Sequence, residues 1–178
     1  MKTVLTLLSL LLLLPAASGR EVKVYRGDSR YASDILCTVR DGKVYKGRSS
    51  YASDILLRID GNDIYRRNST YRSDIVLNLR ENGGDVTIHE GRSSYLSDIR
   101  WTLRDGFLYN GRSSYRSDIV ANLTARNGPG GSTQGPGGNG IQVHRSTSTY
   151  RSDLLFTIDG PLSPAEFIAV WYAVNHLL

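Results

Sequence analysis

The stretch SSYASDILLRIDG, residues 49–61, decides the fold. Its first half recurs as SRYASDIL (29–36), STYRSDIV (69–76), SSYLSDIR (93–100), SSYRSDIV (113–120) and STYRSDLL (148–155). The chain therefore carries six copies of one unit, and a fixed internal period marks a repeat architecture. The repeated tyrosines are Tyr31, Tyr51, Tyr71, Tyr95, Tyr115 and Tyr150, at spacings of 20, 20, 24, 20 and 35. The spacing of 24 reads as a longer turn at Glu81–Asp85, sequence ENGGD. The spacing of 35 reads as a flexible Gly/Pro insert at 127–140, NGPGGSTQGPGGNG.

Each copy predicts two strands. After every motif Asp, apolar residues alternate with others: Ile55, Leu57 and Ile59 in the quoted unit, and Ile35, Cys37 and Val39 in the one before. All eighteen positions of this kind are apolar, while the intervening Thr38, Arg58, Asn78, Thr102, Asn122 and Thr157 are polar. A period of two with one apolar face is a half-buried strand, so all eighteen are expected to point inward. Three units then write Asp-Gly, at Asp41-Gly42, Asp60-Gly61 and Asp105-Gly106, which supplies the positive φ angles of short hairpin turns. Second strands follow, as KVYKG, DIYRR, VTIHE, FLYNG and IQVHR, and EVKVYRG at residue 21 is of the same kind. A solenoid is the rival architecture, but its parallel coils do not use Asp-Gly hairpins.

From Leu162 the pattern changes to LSPAEFIAVWYAVNHLL. Ser163 is an N-cap, Pro164 opens the helix and Glu166 completes a capping box. The apolar residues that follow cover every side, and such a helix is buried all round. Twelve strands spaced ~4.8 Å and tilted ~40° enclose a radius of ~12 Å, which accepts one helix of ~10–12 Å diameter. The expected fold is mainly β: a closed twelve-stranded antiparallel barrel of six hairpin repeats (21–160) around a buried C-terminal helix (163–178). Residues 20–178 form one repeat domain on this reading.

Six hairpins such as ILLRIDGNDIYRRNSTY around a hydrophobic helix resemble the tubby-like barrel. The same hairpins resemble the bacterial β-flower repeat proteins. The resemblance implies the barrel and its central helix. It transfers no phosphoinositide-binding residue of tubby domains to a position of this chain.

Residues 1–19 read as a secretory signal peptide: Lys2, the apolar run Val4–Leu14, Pro15, then Ala17-Ser18-Gly19. The expected location is secreted or periplasmic. With Cys37 alone no intramolecular disulfide forms, and its apolar neighbours make it a buried thiol rather than a nucleophile. The three histidines have no metal-ligand spacing, and no cofactor motif is present. Arg26-Gly27-Asp28 occupies an ordinary repeat slot, and the sequons at Asn68 and Asn122 matter only in a glycosylating secretory route.

The motif residues Asp34, Asp54, Asp74, Asp98, Asp118 and Asp153 are expected to fix loop shape by bonding backbone N–H groups, with the tyrosines over the barrel mouth. The loop end holds twelve basic residues against eight acidic ones. If the Asp residues are occupied, Arg48, Arg72, Arg92 and Arg116 with the six tyrosines form a rim for anionic glycans or lipid headgroups. Nucleic acid is not expected, and neither is a membrane-spanning segment in the mature chain. The alternatives are a scaffold without a small ligand, or a Ser/Asp hydrolase on the insert loop near Gln134. Near-identical loops lack the asymmetric nucleophile, base and orienting group of an enzyme. Export is checked by N-terminal sequencing of the mature product: a start near Arg20 is expected, and a start at Met1 refutes the signal.

Overall fold

The computed structural model describes residues 19–125 and 140–178. The strands are β1 (Glu21–Arg26), β2 (Ile35–Arg40), β3 (Lys43–Lys46), β4 (Ile55–Asp60), β5 (Asp63–Arg66) and β6 (Ile75–Asn82). They continue as β7 (Asp85–Glu90), β8 (Ile99–Arg104), β9 (Phe107–Asn110), β10 (Ile119–Ala125), β11 (Ile141–Arg145) and β12 (Leu154–Asp159). Helix α1 spans Pro164–His176. Every strand pairs with its sequence neighbours, and β1 pairs with β12, so the sheet is a closed antiparallel barrel. The antiparallel pairing removes the solenoid. The expected signal peptide, residues 1–19, lies outside the described residues but for Gly19, and so does the Gly/Pro insert, 127–140, but for Gly140.

The inward alternation holds for two positions in each unit and fails for the first. Tyr45 faces Ile55 across β3–β4, but its neighbour Val44 faces Leu57, which leaves Leu56 as an extra residue. The same bulge falls at Leu36, Val76, Arg100, Val120 and Leu155, on the first strand of each unit where it meets the strand before. A bulge shifts side-chain parity by one. Ile55 and its equivalents therefore share the outer face with Tyr45 and lie outside the main core cluster. Leu56, Leu36, Val76, Val120 and Leu155 instead pack on the inner core. The bulged carbonyl is not wasted: Leu36 O accepts from Gly47 N at 2.9 Å and Leu56 O from Arg67 N at 2.9 Å.

Two turn readings also change. The register Asp60↔Asp63 makes the second hairpin turn Gly61-Asn62 rather than Asp60-Gly61. In the third unit Asn82 faces Asp85, so the four extra residues lengthen the strands, and Gly83-Gly84, both at positive φ, close them in two residues. Asp41-Gly42 and Asp105-Gly106 are two-residue turns as expected, with both residues at positive φ.

The core is a girdle of inner residues around the helix. Val44 sits between Val39 and Leu57, and Ile64 between Ile59 and Leu77. Against this girdle α1 buries Ala165, Phe167, Ile168, Ala169, Val170, Trp171 and Ala173. The capping box is complete: Ser163 Oγ accepts from Glu166 N, and Glu166 Oε2 accepts from Ser163 N at 2.8 Å. Among the described residues no helix is long and apolar enough to cross a membrane.

The helix starts at the turn end and runs to the loop end. Deleting Leu162–Leu178 leaves the inner face unfilled and is expected to abolish cooperative urea unfolding, because the loss exceeds the ~5–15 kcal/mol of a typical domain. The milder Ile168→Ala, at a fully buried position, is expected to cost ~2–5 kcal/mol. A truncated chain that unfolds as cooperatively as the intact one refutes the central role of the helix.

Candidate functional site

Between the hairpins, each motif forms the same crossover loop. The first serine orders it: Ser49 Oγ accepts from Tyr51 N at 3.1 Å and donates to Asp54 Oδ2 at 2.5 Å. The same pair of bonds recurs from Ser29, Ser69, Ser93, Ser113 and Ser148 to Asp34, Asp74, Asp98, Asp118 and Asp153. A 3-10 turn follows, in which Asp54 N donates to Tyr51 O at 3.1 Å. The Asp side chains thus fix loop shape through the serine hydroxyl rather than through backbone N–H groups. At Asp98 the hydroxyls of Ser93 and, second, Ser97 hold the carboxyl below its ordinary range.

The tyrosines do not cover the mouth with bonded hydroxyls. Tyr31, Tyr51, Tyr71, Tyr95, Tyr115 and Tyr150 stand 72–76 % exposed. No hydrogen bond to their hydroxyls occurs among the described residues, because the loop bonds their backbone and lets the ring project. Arg48, Arg72, Arg92 and Arg116 are exposed as well. Among the described residues the ion pair at this rim is Arg151 with Asp28, at 2.6 Å, and the four named arginines form none. The structure thus brings the expected rim residues to one end of the barrel, with the acidic partners already occupied inside the loops.

A second class of tyrosines lies beneath the rim on the outer face. Tyr25, Tyr45 and Tyr65 are buried there, and His89 and His144 occupy the equivalent slots. Arg40 lies 4.9 Å from the centre of the Tyr45 ring and Arg58 lies 5.5 Å from that of Tyr65, in cation–π geometry. Asn122, in the sequon, is buried with its amide on Ser148 O at 3.1 Å. Burial pushes the Cys37 thiol up to about 12, so it is no nucleophile.

Sequence reasoning missed Arg100. Strict alternation would place it among outward residues, but it sits at the bulge, where the other units have Leu36, Leu56, Val76, Val120 and Leu155. Its guanidinium lies 4.9 Å from the Trp101 ring centre and 5.8 Å from that of Tyr172. His176, at the end of α1, stacks on Trp101 with ring centres 6.0 Å apart and meets Tyr172 tilted, at 4.9 Å. A cationic and aromatic cluster therefore lines one side of the mouth. Facing another part of the barrel wall, a cavity of about 380 Å³ is lined by Leu56, Val76, Tyr172, Leu177, Arg66 and Arg67. The legible signal was the apolar residue that directly follows Asp-Ile or Asp-Leu in the other units, which breaks strict alternation.

Burial first, and then the nearby Arg100 charge, lower the His176 pKa. A lowered histidine pKa means that the unfolded chain takes up the proton first as pH falls below ~6.5, so this contribution to stability is present above that pH and is lost below it. Arg100→Val copies the residue found at Val76 and Val120. It is expected to raise the His176 pKa part of the way to its ordinary value in an NMR titration, burial accounting for the rest. An unchanged titration refutes the contact.

Among the described residues no group of His, Cys, Asp and Glu suits a metal ion. The family model described as "6-fold beta flower protein" matches residues 17–129. No curated protein matches the chain. A solved structure of a protein from Arabidopsis thaliana is 12 % identical, with a TM-score of 0.42 over 86 % of this chain and 87 % of that one.

Proposed function

The chain belongs to the 6-fold beta flower protein family, and from that frame we propose an exported, non-enzymatic binding protein whose loop rim takes anionic glycans or lipid headgroups. The observation that carries the reading is the sixfold exposure of tyrosine beside arginines without ion pairs. A flat aromatic ring offers an apolar face to a sugar or a headgroup, while a guanidinium offers paired donors to a carboxylate, sulfate or phosphate. The occupied Asp carboxylates support it too, since their charge is turned toward the serines inside each loop. Six near-equal positions favour many weak contacts to a repeating or laterally extended ligand, and avidity makes such contacts useful.

One observation favours a second reading, a scaffold with no small ligand. Serine, aspartate and the tyrosine N–H are all consumed within each loop, so loop geometry alone accounts for most of the motif. It leaves the exposed rings without a role. The hydrolase alternative gains no support, because no imidazole stands within the motif.

A lipid and glycan array at low and high salt separates the readings. Binding to anionic members at low salt is expected to fall as the screening length drops below ~10 Å. It is expected to fall at least tenfold when Arg48, Arg72, Arg92 and Arg116 are all changed to Ser. Binding that ignores both salt and these changes refutes the electrostatic rim, and no binding at all favours the scaffold.

A further inference from the structure

The third unit departs from the sixfold pattern on the outer flank of the barrel. Its strands β6 and β7 are extended, and His89 stands in the outer slot held elsewhere by Tyr25, Tyr45, Tyr65 and Tyr109. The other substitute, His144, is satisfied: its Nδ1 lies 3.2 Å from Tyr150 O. His89 is not. It is 2 % exposed, its Nδ1 has no hydrogen-bond partner, and its Nε2 meets only Thr87 Oγ1, at 3.4 Å. A buried polar atom without a partner is uncommon, and it calls for a reason other than stability.

The smaller ring borders a groove of about 460 Å³, within the usual range for small-molecule sites. Arg80, Arg104, Arg112, Thr87 and Leu96 line it with His89. Arg104 is committed to Asp85, which accepts from its Nε at 2.8 Å and its Nη2 at 2.5 Å. Among the described residues Arg80 and Arg112 have no ion pair. Leu96 is 60 % exposed, at the place where the other loops carry Ala32, Ala52, Arg72, Arg116 and Arg151. Glu81 lines the groove as well and disfavours a second anionic group on the ligand.

We propose that this groove binds one acidic sugar, with Arg80 and Arg112 holding its carboxylate or phosphate and Leu96 covering an apolar face of the ring. Thr87 and the unpaired imidazole edge of His89 serve its hydroxyls after a small side-chain shift. The site is separate from the loop rim, since none of Arg48, Arg72, Arg92 and Arg116 lines it.

The test is an amide NMR titration of the full exported chain with D-glucuronate, D-glucose 6-phosphate, D-glucose and inorganic phosphate. Saturable shifts at Thr87, His89 and Arg112 are expected with either acidic sugar, at least tenfold tighter than with glucose or inorganic phosphate. Arg112→Ser, at an exposed position, and His89→Tyr, which fills the groove with the ring four other units use, are each expected to weaken binding at least tenfold. The amide spectrum reports whether each variant is folded, and Arg112→Ser decides alone if His89→Tyr is not. The variant lacking the four rim arginines is expected to bind as before, which keeps this site distinct from the rim. No saturable shift with either acidic sugar overturns the proposal. So does phosphate or glucose binding as tightly as the acidic sugars, or binding indifferent to Arg112→Ser.

Discussion

The pairing of β1 with β12 closes the ring. The repeat is written out of phase with the chain, so that β1 is the second strand of a hairpin whose first strand is β12. Gly27 N donates to Leu155 O at 3.1 Å and Thr157 Oγ1 to Gly27 O at 2.6 Å, the same bonds that Gly47 makes within the covalent hairpin to Leu36 and Thr38. Without this contact β1 and β12 would be left as edges, each with a row of unpaired backbone groups. The helix follows directly from the closing strand. Its start is tied to the other end of the seam by Arg20 and Glu166, at 2.7 Å. A Cβ on Gly160, between seam and helix, would come within 3.1 Å of Val22.

Closure and the bulge act together. Each first strand carries one extra residue on the side facing the preceding unit. The bulge increases local twist, which suits a sheet that must curl onto itself. It also turns two adjacent residues, such as Leu56 and Leu57, toward the core, while Ile55 passes to the outer face under the loop. The loop above is rigid by its own chemistry, through serine, aspartate and a 3-10 turn, so tyrosine can project without being held by the barrel.

Symmetry supplies the frame, and its exceptions supply the chemistry. Six equal loops place aromatic and cationic groups at one end. The fourth unit alone puts Arg100 where other units bury an aliphatic side chain, and the third puts an unpaired imidazole where four others have tyrosine. Both departures sit at the β7–β8 pairing, whose bulged register is the same as in the other units. The frame tolerates them because the girdle and the helix carry the burial.

Local patterns determined much of this protein. Strand number, the turns at Asp41-Gly42 and Asp105-Gly106, the capped helix and the crowding of arginine and tyrosine at one end all follow from spacing, since each depends on residues a few positions apart. What depends on pairing between strands did not follow. Register decides that Gly61-Asn62 is the turn, that ENGGD extends two strands, and that Ile55 faces out while Leu56 faces in. Side-chain parity reverses with a single extra residue, and alternation within one strand carries no record of its partner's count. For the same reason Arg100 reads as a surface residue in sequence and stands at the mouth beside Tyr172 in the fold. The groove at His89 needed tertiary structure most of all: three strands and two loops form it, and the imidazole is left without a partner only once they are assembled.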